Sequence, residues 1–201
     1  MINISLTDFI DYVSKVGASK FTKVNEVFSR EEYNPAFDFW KPLRDGIIDI
    51  HENRKDRSHL DKILENLTDK KKIDRYPALI GSYKSFLGRK KCEWFDPPFK
   101  DWQTGDLRIK LNPEIGLEIN GKLYVIKLYF KSEKLSQSKA DLILLLMDTK
   151  LKKGGYKEVT FAVLDVERKK LYDKTKLNSS HLALLEGEAL SFINIWHSFE
   201  N

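Results

Sequence analysis

Residues Asn112–Lys131 read NPEIGLEINGKLYVIKLYFK, a pattern that predicts a β-hairpin. Asn120-Gly121 is the dipeptide favoured by two-residue type I′ turns, whose central residues both need φ > 0. Ile115–Ile119 and Leu123–Phe130 flank it and are rich in the β-branched and aromatic residues that suit a pleated, half-buried surface. A two-residue loop fixes the register. Ile119 faces Lys122, Glu118 faces Leu123, Gly116 faces Val125 and Glu114 faces Lys127. Opposed residues share one side of the sheet, with Cβ atoms about 5 Å apart. Lys127 is therefore expected beside a carboxylate in an otherwise apolar strand. Tyr124, Ile126, Leu128 and Phe130 form the apolar row of the other side. Two chemistries fit such a lysine: a cross-strand ion pair, or half of a metal-dependent phosphodiester-cleaving site. In the second, a carboxylate holds a divalent cation and the ammonium activates water or steadies the charge that develops on phosphorus.

The composition sets the frame. At 201 residues the chain can bury a good core and is most simply one compact unit. The net charge is +5 and the pI about 9.0, but 35 bases are mixed with 30 acids, so the lean towards an anionic partner is mild. Cys92 is the only cysteine, which excludes an intrachain disulfide and a cysteine-built metal site. His51, His59, His181 and His197 are scattered without zinc-ligand spacing. MINISLTDFIDYV lacks a basic n-region followed by a long apolar stretch, and the longest apolar run, Leu142–Met147, is too short to span a bilayer. The expectation is a soluble cytoplasmic protein with no membrane contact. No P-loop, GxGxxG, nucleophile elbow or HExxH is present, and no nucleotide cofactor is expected.

Along the chain, residues 1–88 read as a helical region. Ser5 and Asp8 resemble a capping box ahead of Phe9, Ile10, Val13 and Val16. A second helix is expected over Lys20–Arg30. Asn34-Pro35 reads as a cap and first turn before Phe37, Trp40, Leu43, Ile47 and Ile50, with Pro42 kinking or restarting that helix. Ser58 is expected to cap a short helix, Asp69–Lys72 to form a solvated turn, and Tyr76–Leu87 to form a helix closed by Gly88. Residues 89–103, RKKCEWFDPPFKDWQ, read as an aromatic, proline-rich connection. Arg89, Lys90 and Lys91 with Trp94 and Trp102 make it a candidate stacking platform for nucleic acid, although such aromatics also plug long connections onto a core. Residues 104–201 read as an α/β core. It holds the strand Leu107–Leu111, the hairpin, a helix through Lys152 closed by Gly154-Gly155, the strand Val159–Val166 and a final helix.

From Tyr76 onwards the elements run helix, three strands, helix, strand, helix. This order resembles the αβββαβ core of the PD-(D/E)XK (restriction-endonuclease-like) nuclease superfamily, so the expected class is α+β: a helical N-terminal region followed by an αβββαβ-type mixed sheet flanked by helices. The resemblance covers roughly the C-terminal 60% of the chain. It places Pro113-Glu114 at the family's PD pair and Lys127 at its lysine, and implies Mg²⁺ or Mn²⁺ as the cofactor of an active member. Val125 stands at the family's second acid, and valine cannot ligate a metal. Glu118, on the same face about 13 Å along the strand at roughly 3.4 Å per residue, and Asp106 are the candidate replacements. Gln137 resembles the auxiliary glutamine of some branches. Two functions follow: a metal-dependent nuclease, or a catalytically inactive nuclease-like domain that binds nucleic acid or a protein partner.

Overall fold

The computed structural model describes the whole chain except residues 31–37, 66, 153–155, 157 and 201. The expected Asn34-Pro35 cap, Phe37 and the Gly154-Gly155 stop lie outside the described residues. The architecture is α+β, with two mixed sheets and helices between and beside them.

The chain opens on a strand rather than a helix. β1 (Ile2–Ser5) buries Ile2 and Ile4, and Ser5 then caps α1 (Leu6–Val13) by accepting from Asp8 N. α2 (Ala18–Phe28) follows. Pro42 is the second residue of α3 (Lys41–Glu52), so the proline lies in the first turn, where its missing N–H costs nothing. Asp56, not Ser58, caps a 3₁₀ turn over Arg57–Asp61 that leads into α4 (Lys62–Glu65). Asp69 accepts from Lys71 N and Lys72 N and starts α5 (Lys70–Leu87) a turn and a half earlier than expected. Gly88, at φ +49°, closes it.

The proline-rich connection is the largest departure from expectation. It contains two strands, β2 (Cys92–Phe95) and β3 (Lys100–Thr104), and only Asp96–Phe99 between them is irregular. The two strands belong to different sheets. β3 pairs antiparallel with β4 (Leu107–Leu111), which pairs parallel with β1, giving a small sheet of order β1-β4-β3. β2 is the edge of a large sheet of order β2-β5-β6-β7-β8. Its other strands are β5 (Ile115–Ile119), β6 (Lys122–Tyr129), β7 (Thr160–Asp165) and β8 (Lys170–Tyr172). The expected first strand of the αβββαβ core, Leu107–Leu111, therefore sits in the small sheet, and β2 takes its place in the large one. The hairpin register is the one counted from the sequence, with Gly116 opposite Val125 and Ile119 opposite Lys122. Asn120 and Gly121 hold φ of +51° and +84°.

Strand alternation divides the large sheet between two cores. Ile115, Leu117, Ile126, Leu128, Ala162 and Leu164 pack with the buried faces of α3 and α5. Val125, Tyr129, Phe161 and Val163 face the other way, towards α1, α6 (Gln137–Leu151) and α7 (Leu182–His197). The inner face of the small sheet closes that second core with Ile4, Trp102, Leu107 and Ile109. α6 lies between the sheets, touching β7 on one side and β3 and β4 on the other. This is why Ile143–Met147 is buried on all sides and carries no amphipathic period. Gly116 is required by a close approach. A Cβ there would lie 2.3 Å from the Phe95 carbonyl oxygen and 2.8 Å from its ring.

Candidate functional site

The hairpin brings Glu114 and Lys127 together. Ile115 pairs with Ile126, and Glu114 N donates to Ile126 O at 3.1 Å, so the ladder continues one residue past β5 and sets Glu114 beside Lys127. The ammonium donates to Glu114 Oε1 and, at 3.2 Å, to Asn112 O. Glu114 Oε2 accepts from Leu128 N at 2.7 Å. Side-chain exposure is 10% for Lys127 and 8% for Glu114, so the pair is withdrawn from water, with two of the ammonium's three donors and each carboxylate oxygen bonded internally.

A second charged group lies beside it. Asp11 of α1 and Lys139 of α6 line, with Lys127 and Tyr129, a cavity of about 10 Å³. That is room for at most one water and far too little for a phosphodiester. Asp11 pairs with Lys131 through Oδ2 and, at 3.5 Å, with Lys139 through Oδ1. The Tyr129 hydroxyl is buried without a hydrogen-bond partner among the described residues. Burial, then the carboxylates of Glu133, Asp11 and Asp165, push its pKa up to about 12, so it remains a phenol. Sequence reasoning did not single out Asp11 or Lys139. The available signal was a carboxylate inside a helix flanked by two buried residues, Ile10 and Tyr12, which says nothing about the partner strand.

The other candidates do not converge on this point. Asp106 lies in the β3–β4 turn of the small sheet, where Oδ2 meets His197 Nε2 at 3.0 Å. It shares neither strand nor sheet with Glu114, its expected companion in a metal site. Glu118 shares Glu114's face but lies four residues along β5, opposite Glu93. Gln137 is the first residue of α6 and donates to Asp141 Oδ1 at 2.8 Å and Lys174 O at 3.3 Å, ties that anchor a helix start. Asp165 is fully buried and holds the chain on either side, accepting from Leu135 N and Arg168 N. Trp102, expected to stack on bases, is 5% exposed, packs edge-on against Phe9 at 5.6 Å and lies under Lys150, so no face is left for a base. Trp94 is half-buried and donates from Nε1 to Asp96 Oδ1. Arg89, Lys90 and Lys91 are exposed at the end of α5. Burial pushes the Cys92 thiol up, away from the reactive thiolate.

These contacts decide whether Mg²⁺ or Mn²⁺ fits. A hard divalent cation needs several carboxylate or carbonyl oxygens turned towards one point. Both Glu114 oxygens are taken by donors, both Asp11 oxygens face ammoniums, and Val125 is buried beside them. Among the described residues no three His, Cys, Asp or Glu side chains are grouped to hold an ion. The residues do not fit the metal. Among the described residues no helix is long and apolar enough to cross a membrane.

No protein-family model matches the chain, and comparison with curated proteins and with solved structures likewise returns no match.

Proposed function

We propose that this chain is a nuclease-like domain without a phosphodiesterase centre, acting by binding, with nucleic acid as the partner. The order α5–β2–β5–β6–α6–β7 within and around the large sheet supports the nuclease-like part of the reading. There β2, β5 and β6 form an antiparallel meander, and α6 crosses to a parallel β7. The observation that carries the absence of catalysis is the closure of Glu114: one carboxylate oxygen is spent on Lys127 and the other on Leu128 N. A lysine so paired, beside a cavity of about 10 Å³, has too little space next to it for a scissile phosphodiester. The basic balance of the chain favours an anionic partner.

The test is incubation with plasmid DNA, single-stranded DNA and RNA in Mg²⁺, Mn²⁺ or EDTA, alongside salt-dependent gel shifts. The expected result is retarded nucleic acid without cleavage. Metal-dependent cleavage that disappears in both Glu114→Gln and Lys127→Met would overturn the reading, as would failure to retard any of the three nucleic acids in low salt.

A further inference from the structure

Resting on that nucleic-acid-binding reading, we propose that the end of the molecule where α3, α5 and the β5–β6 turn meet holds the phosphate backbone of a nucleic-acid duplex. α3 and α5 run side by side in one direction. Trp40 at the start of α3 stacks on Tyr76 at 6.4 Å, and His51 near its end bonds the Tyr83 hydroxyl at 2.8 Å. Their C-termini therefore emerge at the same end. Arg57 Nη1 donates to Gly88 O at 2.6 Å, tying the 3₁₀ turn to the end of α5. Lys91 N donates to Asn120 Oδ1 at 3.0 Å and Asn120 N to Lys91 O at 3.0 Å, which fixes the hairpin tip to the same segment. Three loops from distant parts of the sequence are thus held as one surface.

That surface is cationic and exposed at Arg54, Arg57, Arg89, Lys90 and Lys91. Its nearby acids are only partly committed: Asp56 caps the 3₁₀ turn and Asp61 pairs with Lys84, while Glu52 is exposed at the end of α3 and Glu93 and Glu118 face each other on β2 and β5, two residues from Lys91 and Asn120. Cations at helix C-termini complement the backbone dipole without needing a ligand, and this accounts for Arg57 at Gly88 O and Lys90 at Phe86 O. It does not account for Arg54, Arg89 and Lys91, whose side chains make no ion pair or hydrogen bond among the described residues. Arg54 is the more telling case. It sits at φ +49° just past the end of α3, with Lys55 N returning to Ile50 O at 2.9 Å. This is the left-handed closing position that glycine fills at least cost. The fold would be better served by glycine there, and an exposed arginine puts a guanidinium on the same surface instead.

The partner class follows from what is missing. Single strands are held by bases stacked on exposed aromatic rings as well as by charge. Among the described residues the exposed aromatics, Phe21 and Phe99, lie elsewhere, on α2 and in the β2–β3 loop. A surface of cations without stacking rings suits a duplex held through its phosphates, without reading its sequence.

Fluorescence anisotropy with a labelled 20-base-pair duplex and the matching single strand, between 50 and 200 mM salt, tests this on four proteins. They are wild type, Arg54→Gly, the combined Arg57→Gln/Arg89→Gln/Lys90→Gln/Lys91→Gln variant, and a control, Lys134→Gln/Lys169→Gln, in the loops that follow β6 and β7 at the opposite end of those parallel strands from the β5–β6 turn. Wild type is expected to prefer the duplex and to lose about five-hundredfold in affinity over that salt range. The combined variant should bind at least tenfold more weakly, with the logarithmic salt slope reduced by roughly 0.9 per cation removed. Arg54→Gly should weaken binding about two- to fivefold while raising the melting temperature, and the control should match wild type. If the combined variant loses its fold, Arg54→Gly and the pair Arg89→Gln/Lys91→Gln carry the test. A combined variant that binds like wild type would remove this surface as the interface and leave the nucleic-acid reading standing. Preference for the single strand would overturn the duplex assignment. No binding by wild type to either strand form would take down both readings.

Discussion

Lys127 and Glu114 lie side by side across the β5–β6 ladder, and each completes the other's bonding in a place water hardly reaches. A buried pair of this kind contributes little against a well-packed apolar pair, but removing one partner strands the other's charge. Lys127→Met is therefore expected to lower stability by about 3–5 kcal/mol. Glu114→Gln in the same chain should restore part of the loss, because the amide keeps an acceptor for Leu128 N and no longer carries charge. Urea denaturation of the two single variants and the double variant measures the coupling. Additive losses would mean that the two side chains do not depend on each other.

Gly116 makes a second, sharper prediction. The atoms that an added methyl would strike include the backbone carbonyl of Phe95, which cannot rotate away. Gly116→Ala should push β2 off the sheet edge and cost about 1–3 kcal/mol, with amide exchange accelerated in Cys92–Phe95. Protection of those amides equal to wild type would show that the edge strand adapts.

Glu93 and Glu118 stand directly opposite each other on β2 and β5. Like charges in that relation oppose pairing, so Glu118→Gln should stabilise the protein by about 0.2–1 kcal/mol. The gain should shrink in 1 M salt, where charges of this exposure are screened. A gain independent of salt would assign it to something other than charge.

Acid sensitivity should have two stages. Burial depresses the His51 pKa from 6.5 to about 4, so the folded protein resists protonating it. The unfolded chain takes up that proton first, and stability present above pH 6.5 falls as the pH drops through 4, by an amount on the order of 3 kcal/mol. His51→Gln should flatten that stage. Asp8 supplies the second. Burial alone would raise its carboxyl, but hydrogen bonds from Arg30 and Ser5 and the charge of Lys23 hold it at about 2. Its contribution persists above pH 3.8 and disappears as the pH falls towards 2. His197 works in the opposite direction. Glu200 first, and Asp106 with it, raise its pKa against slight desolvation, so its tie to the β3–β4 turn is strongest below pH 6.5 and weakens as the pH rises through the raised value. Chemical denaturation at half-unit steps from pH 2 to 8 resolves all three.

The hairpin was legible because three local signals agree: the Asn120-Gly121 turn, the period-two pattern on both sides, and a lysine whose register partner is a carboxylate. The Glu114–Lys127 contact follows by counting. What that contact does was not legible, since its closure depends on Leu128 N, on Asn112 O and on α1 and α6 arriving from elsewhere. Three strands escaped for distinct reasons. β1 is four residues long and its last residue is also a helix cap. β2 and β3 flank Pro97-Pro98, whose disruption of regular structure extends only over Asp96–Phe99. The separation of Leu107–Leu111 from the hairpin left no local trace, because its partners are the distant β1 and the unforeseen β3. α6 concealed its surroundings as well, because its middle, Ile143–Met147, is apolar on every side where a sheet covers it from both directions.

That parallel union of Ile2–Ser5 with Leu107–Lys110 has a consequence in time. A ribosome delivers β1 long before the strand it must join exists. Until then Ile2 and Ile4 lack the strand they pack beside, and roughly a hundred residues separate β1 from β4. Closing so wide a loop is entropically costly and slow compared with forming the hairpin, whose strands meet across two residues. Although β4 leaves the ribosome before the hairpin does, the hairpin is thus expected to order first and β1 to dock on β4 later.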